Sequence, residues 1–246
     1  MDRLGIDLYG TSRIGKTRAE NQDRIMATAL GRGKAVLAVA DGMGGVAAGG
    51  LAAETAMRVL ESQLNGASLD PQALARVIMK AGDQIVALAA RDNKLYGMGT
   101  TLTAVFIEQG TANWAHVGDS RLYVVRDGRL AQISRDHRFL QDLIDAGDMT
   151  VAETLDHPLR HYLDQCVGSP DVQPDFGSFS LAKGDVLLLT TDGVHDHVAL
   201  QQFLSTLESD IGLREIPNLL FKKAMQAGST DDMSIVLGRV GCEEPD

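Results

Sequence analysis

The sequence predicts an α+β fold, because strands and helices come in blocks rather than in strict alternation. Residues 100–134 read as a meander of short strands, and Gln109-Gly110 and Asp127-Gly128 supply its turns. The helical patterns lie before and after this block. Such a block arrangement favours antiparallel sheets packed in layers with helices over a doubly wound parallel sheet.

The first elements follow from the spacing of apolar residues. Residues 4–9 alternate like a strand, and residues 35–40 form the continuous apolar run of a buried strand. Residues 51–64 carry apolar side chains at helical spacing. A second helix is predicted after Asp70, which can cap it, with Pro71 in its first turn.

The remaining elements are predicted in the same way. Residues 139–146 indicate a short helix that ends at Gly147. Residues 148–178 contain three prolines and are expected to be irregular, with a flap-like loop at about 145–175 over a site. The other predictions are strands at 101–108, 113–117, 121–126, 129–134, 186–191 and 234–240, and helices at 199–208 and 215–227.

Composition and charge argue for a large core and against polyanionic partners. Apolar residues make up 44% of the 246 residues, and the formal net charge is −10, from 23 basic and 33 acidic residues. No run of Lys or Arg stands out. A surplus of negative charge repels nucleic acids and anionic membranes, so neither is predicted as a partner.

The whole chain, residues 1–246, is predicted to form a single domain, because no linker-like segment or internal repeat divides it. Cys166 and Cys242 do not form the pattern of a disulfide framework or a cysteine metal site. The N-terminus lacks the apolar core of a signal peptide, and no apolar run approaches the roughly 20 residues that cross a membrane. We therefore expect a cytoplasmic protein.

Aspartates in apolar settings are the strongest functional signal. Asp41 and Asp192 each end a strand that is predicted to be buried. Asp119 lies between Gly118 and Ser120, and Asp231 precedes the last strand. An isolated ionised carboxylate is costly there, whereas several carboxylates are tolerated when they converge on a cation. Hard divalent ions prefer oxygen ligands, so the sequence predicts a metal centre built from distant segments.

Short motifs containing these aspartates stand in order along nearly the whole chain. Each is weak alone, because an Asp-Gly pair is more often a turn than a ligand. They are Arg18-x-x-Asn21-Gln22-Asp23, Asp41-Gly42-Met43-Gly44-Gly45, Gly99-Thr100-Thr101, Gly118-Asp119-Ser120-Arg121, Asp136-His137, Asp192-Gly193 and Asp231-Asp232-x-Ser234. In this order they resemble the motifs of the metal-dependent protein phosphatases of type 2C, especially the bacterial members.

The resemblance implies a four-layer αββα sandwich, in which two antiparallel β-sheets are flanked by helices. It implies a serine/threonine phosphatase with two or three Mn²⁺ or Mg²⁺ ions, in which a metal-bridging water or hydroxide attacks phosphoserine or phosphothreonine directly. Two divalent ions about 3.5–4 Å apart suit that chemistry, and carboxylate ligands suit Mg²⁺ or Mn²⁺ rather than zinc. The implied partners are phosphorylated proteins, the substrates of a cognate Ser/Thr kinase.

The same resemblance assigns the metal ligands. Asp41 would bridge two ions, and the backbone carbonyl of Gly42 would bind one of them. Asp192 and Asp231 would complete the coordination of the first ion. Asp23 would bind metal-bound water through a hydrogen bond.

Two further roles are implied, each with a simpler alternative. Asp119, together with Asp192, would form a third metal site, although Gly118-Asp119-Ser120 is also good turn chemistry. Arg18 would bind the substrate phosphate, because its planar fork donates two hydrogen bonds, although a surface role is the alternative. Asp232 stands where the family usually has asparagine and is not expected to be a primary ligand.

One departure from the family pattern concerns proton transfer. Many members have a histidine in or just after the Asp-Gly-x-Gly-Gly motif, whereas Met43 and Val46 stand there in this chain. The leaving group would then take its proton from metal-bound water or from another residue. Two other functions stay open: a non-catalytic relative that binds phosphoproteins or senses a signal, and a phosphatase of small molecules.

Overall fold

The computed structural model describes residues 4–44, 48–64, 68–154 and 156–242. Within these residues the chain forms two five-stranded antiparallel sheets and a two-stranded ribbon. In spatial order, the first sheet consists of β1 (Leu4–Arg13), β12 (Met233–Cys242), β11 (Val186–Thr190), β8 (Arg121–Arg126) and β9 (Arg129–Gln132). The second consists of β10 (Asp175–Ser180), β7 (Thr111–Val117), β6 (Leu102–Glu108), β3 (Lys34–Ala40) and β2 (Arg24–Gly31), and the ribbon of β4 (Gly42–Met43) and β5 (Gly99–Thr100).

The two large sheets pack face to face and share a core. Alternate residues of each strand point to opposite faces, so Leu37 of β3 packs with Leu189 of β11 and Val236 of β12 between the sheets. The intervening residues face outwards, where Val36 contacts the helices instead. Both faces of β3 are therefore buried, which explains its continuous apolar sequence.

Helices cover the outer face of each sheet and complete four layers, which confirms the predicted αββα sandwich. Two helices cover the second sheet, namely α1 (Ala48–Ser62) and α2 (Pro71–Ala89). Three cover the first, namely α5 (Asp192–His195), α6 (Leu200–Leu207) and α7 (Ile216–Gln226). The predicted start of α2 is confirmed, because the Asp70 side chain accepts a hydrogen bond from the Ala73 amide at 2.6 Å.

The segment between β9 and β10 is more regular than the sequence indicated. The prediction of an irregular chain over 148–178 is wrong at both ends, because α4 (Val151–Thr154) and the first residues of β10 lie there. Thr150 and Glu153 form a capping box at the start of α4, which is a sequence signal. The predicted helix at 139–146 appears as α3 (Gln141–Ala146).

Candidate metal centre

The predicted site residues meet at one end of the sandwich, where strands of both sheets stop. Asp41 follows β3 of one sheet, and Asp192 follows β11 of the other. Asp119 lies in the turn between β7 and β8, and Asp231 lies just before β12. A cavity of about 720 Å³ is lined by these four carboxylates together with Arg18 and Gly42.

The backbone of Asp41 is fixed by the neighbouring ribbon. Its amide donates to Thr101 Oγ1 at 2.9 Å, and its carbonyl accepts from the Thr101 amide and Thr100 Oγ1, each at 2.8 Å. Gly42 must be a glycine, because a Cβ there would collide with the backbone carbonyl of Gly49 in α1. The Gly-Thr-Thr motif therefore serves to hold Asp41 at the cavity.

Asp23 is buried just before β2 of the second sheet and binds the first sheet at the end of β11 and the start of β12. Its Oδ2 accepts hydrogen bonds from Thr191 Oγ1 at 2.9 Å and Ser234 Oγ at 2.6 Å. Its Oδ1 is buried without a partner among the described residues. Burial raises the pKa of Asp23 to about 7, in spite of these two hydrogen bonds.

The carboxylates of Asp41 and Asp192 lie where burial disfavours their negative charge. Burial, followed by the charges of the surrounding carboxylates, raises the pKa of both side chains well above the usual value. Oδ1 of Asp192 is buried and has no partner in the described part of the chain. A divalent cation relieves both the desolvation of these carboxylates and their mutual repulsion, and an all-oxygen donor set suits Mn²⁺ or Mg²⁺. The residues present therefore fit the expected metal.

Arg18 and Asp231 form a bidentate ion pair at the rim of the cavity. Nε of Arg18 donates to Oδ1 of Asp231 at 2.7 Å, and Nη2 donates to Oδ2 at 2.6 Å. Asp232 faces away from this pair, because its carboxylate accepts from the amides of Gly15 and Gln22, each at 2.8 Å. Asp232 thus orders the loop that carries Arg18.

Sequence reasoning missed a buried arginine in this site. Nε of Arg138 donates to Oδ2 of Asp119 at 2.8 Å, and its two terminal nitrogens donate to the two oxygens of Asp196 at 3.1 Å each. Arg138 follows the Asp136-His137 motif directly, but no spacing rule indicates which carboxylates it reaches. Among the described residues, His161, Asp192 and Asp196 also bring possible ligand atoms within 4.8 Å of one another.

Comparison with known proteins decides the family. The model of the family described as protein phosphatase 2C matches residues 9–216. The chain belongs to the protein phosphatase 2C family. It is 32% identical over 230 residues to protein phosphatase PhpP of Streptococcus pneumoniae, covering 91% of this chain and 93% of that protein.

Solved structures of family members share the fold and the metal chemistry. The serine/threonine phosphatase PstP/Ppp of Mycobacterium tuberculosis matches with a TM-score of 0.87 and 32% identity, over 96% of this chain and 99% of that one. The catalytic domain of PstP in complex with two manganese ions matches with a TM-score of 0.86 and 31% identity, over 97% and 99%. This member of the family is thus a metal-dependent serine/threonine protein phosphatase that uses Mn²⁺ or Mg²⁺. In the described residues, no helix has the length and apolarity needed to span a membrane.

Proposed function

We propose that this phosphatase hydrolyses phosphoserine and phosphothreonine at the cavity where the two sheets end. The observation that carries the proposal is that aspartates from both sheets meet at one cavity, where Oδ1 of Asp192 is buried without a hydrogen-bond partner among the described residues. Asp41, the carbonyl of Gly42, Asp192 and Asp231 would hold two ions. When bound, these ions supply charge neutralisation for the phosphoryl group and an activated water. Because the ligands come from both sheets, the activity needs the chain as one domain.

The residues around the ions have separate tasks. Asp23 holds Thr191 and Ser234 through Oδ2, and its second oxygen, buried without a partner among the described residues, would accept a hydrogen bond from metal-bound water. Arg18 uses Nε and Nη2 for Asp231, so its remaining N–H groups are available for a phosphate oxygen at the rim. In this proposal Asp23 acts on the attacking water, and Arg18 acts on the substrate phosphate.

The source of the proton for the leaving group differs from that in many relatives. Met43 lines the cavity, and its thioether has no proton to donate. Val46 lies outside the described residues. The alkoxide therefore takes its proton from water or from another residue of the cavity, and poor leaving groups such as serine alkoxide should be the most sensitive to this source.

Substrate choice is proposed to lie in the flap at about 145–175. His161, Tyr162 and Leu163 of this segment line the cavity that holds the aspartates. A phosphorylated protein therefore meets the flap when its phosphate reaches the metals. The substrates are proposed to be proteins phosphorylated by a cognate Ser/Thr kinase in the cytoplasm, with no role for nucleic acid or membrane. The retained aspartates disfavour a non-catalytic relative.

Hydrolysis of p-nitrophenyl phosphate and of a phosphothreonine peptide, in EDTA, Mg²⁺ or Mn²⁺, tests the proposal. We expect activity on both substrates in Mn²⁺ or Mg²⁺ and none in EDTA. Nucleotides and sugar phosphates serve as competing substrates, and a preference for them would overturn the assignment to proteins. Folded, metal-loaded protein that hydrolyses neither test substrate would overturn the catalytic assignment itself.

A further inference from the structure

We propose that Arg138 is a built-in cation that takes the place of a third divalent ion, so that the metal centre of this chain holds two ions. The proposal rests on that metal centre and concerns how many ions it binds. It replaces the expectation that Asp119 and Asp192 together form a third metal site.

Each of the three nitrogens of the Arg138 side chain donates a hydrogen bond to a carboxylate. One edge of its guanidinium binds Asp119 through Nε, and the other binds both oxygens of Asp196. Nη2 also lies 4.0 Å from Oδ2 of Asp192, the other ligand expected for a third ion. Arg138 therefore touches the same pair, Asp119 and Asp192, that a third ion would have to join.

This arginine is a permanent part of the interior. The side chain of Arg138 is 10% exposed, and those of Asp119 and Asp196 are 7% exposed each. An arginine stays charged in proteins, and a buried one whose partners satisfy it in two directions does not leave without stranding those carboxylates. A solvent ion, by contrast, exchanges.

Arg160 is a second arginine close to the carboxylate of Asp196. Its Nη2 lies 3.5 Å from Oδ2 of Asp196, the oxygen that also accepts from Arg138. His161 Nδ1 lies 3.5 Å from the same oxygen. A divalent ion bound through His161, Asp192 and Asp196 would meet two guanidinium groups at close range, so like-charge repulsion disfavours that site as well.

The carboxylates of the site thus fall into two groups, according to whether an arginine neutralises them. Asp119 and Asp196 are neutralised by arginine, whereas Asp23 and Asp192 each keep a buried oxygen without a partner in the described residues. Divalent cations are needed to neutralise the second group, to which Asp41 also belongs.

Asp231 is also paired with an arginine, but its pair with Arg18 is exposed to solvent and can open, whereas the pairs of Arg138 are buried. Repulsion from Arg138 and the buried pairing of Asp119 therefore limit the centre to two ions.

Equilibrium dialysis of the whole protein against a series of free Mn²⁺ concentrations, with manganese and protein quantified, tests this count. We expect two Mn²⁺ per chain for the wild type and for Arg138→Lys, which keeps the charge. Arg138→Ala should bind one more ion, and Arg138→Ala combined with Asp119→Ala should lose that ion again. Arg126→Ala is the matched control, because Arg126 forms a similar ion pair with Asp185, neither residue lines the cavity, and the variant should bind two.

Three ions in the wild type, or two in a folded Arg138→Ala protein, would overturn the proposal. Folding is checked by circular dichroism and thermal unfolding. If Arg138→Ala does not fold, Asp119→Asn decides, because it should leave two ions bound with unchanged affinity, and the loss of an ion would show that Asp119 is a ligand. A wild type that binds no Mn²⁺ would overturn the metal centre itself, whereas three ions with intact phosphatase activity would overturn only the role of Arg138.

Discussion

At the scale of single residues, a substitution of Asp192 is expected to affect catalysis and stability in opposite ways. Asp192→Asn keeps the shape of the side chain but removes a charge that burial and neighbouring carboxylates already disfavour. We expect kcat to fall by orders of magnitude in saturating Mn²⁺, while the melting temperature in EDTA stays the same or rises. Phosphopeptide kinetics and thermal unfolding measure the two effects.

Asp185→Asn is the matched control for this prediction. Asp185 is also buried, but it binds Arg126 at 2.8 and 2.6 Å and lies outside the cavity. Its loss should cost about 1–3 kcal/mol of stability and leave kcat unchanged. Near-normal turnover of Asp192→Asn would remove that residue from the metal ligands.

Arg18 should affect substrate binding more than metal binding. Arg18→Ala removes charge-assisted hydrogen bonds worth about 1.5–3 kcal/mol each, so KM for a phosphopeptide should rise by roughly 10–100-fold. Mn²⁺ affinity should change less, because the variant also frees Asp231 from its ion pair. Exposed Arg13 offers a control in Arg13→Ala, and an unchanged KM for Arg18→Ala would exclude the role in phosphate binding.

At the scale of elements, the junction of β4 with α1 determines where the Gly42 carbonyl lies. A methyl group at Gly42 would meet the carbonyl of Gly49, and no flexible side chain is there to move aside. Gly42→Ala should therefore lower both the melting temperature in EDTA and the Mn²⁺ affinity, by about 2 kcal/mol or more in stability. Calorimetry of unfolding and of Mn²⁺ binding measures the two.

Gly212→Ala provides the comparison, because a Cβ there meets no atom within 4 Å. It should leave both quantities unchanged. If Gly42→Ala behaved like Gly212→Ala, the tight approach of β4 to α1 would not be what positions the carbonyl.

The sequence predicted those elements whose pattern is strong, and it failed where pairing across the sheet decides. β3 carries a clear apolar pattern and was placed within one residue, and α2 begins at Pro71, directly after its predicted cap Asp70. β2 and β10 were missed. Their side chains are mostly exposed or half-buried at the edge of the second sheet, so that partner strands rather than their own apolar pattern make them strands.

The same limit applies to the site. Motif spacing was enough to bring Asp41, Asp119 and Asp192 to one cavity, because strand ends converge when the sheets pack. Nothing in the spacing showed that Arg138 bridges Asp119 and Asp196, since that contact joins segments 19 and 58 residues apart. Which side chains form such a pair is determined only when the two sheets have packed and brought these segments together.

At the scale of the whole molecule, the uncompensated carboxylates make stability depend on pH and metal. The folded pKa of Asp23 is raised from 3.8 to about 7 by burial. The folded state therefore holds this proton when the unfolded chain has already lost it. The stability contributed by protonated Asp23 is present below about pH 4 and is lost as pH rises towards 7.

Asp23→Asn isolates this effect, because the other titrating groups are common to both proteins. In EDTA, the free energy of unfolding of the wild type should fall relative to the variant by a few kcal/mol between about pH 4 and 7 and then level off. Urea unfolding at a series of pH values measures the difference. A constant difference across this range would mean that Asp23 is ionised in the folded protein throughout.

The position of β12 has a consequence for how a cell makes this enzyme. Among the described residues β12 is the last strand, yet it lies between β1 and β11, and Asp231 lies just before it. Until residues 231–242 have left the ribosome, β1 lacks its neighbour β12 in this sheet, and the proposed ligand Asp231 is not yet in place. We therefore expect phosphatase activity only after β12 has inserted between β1 and β11.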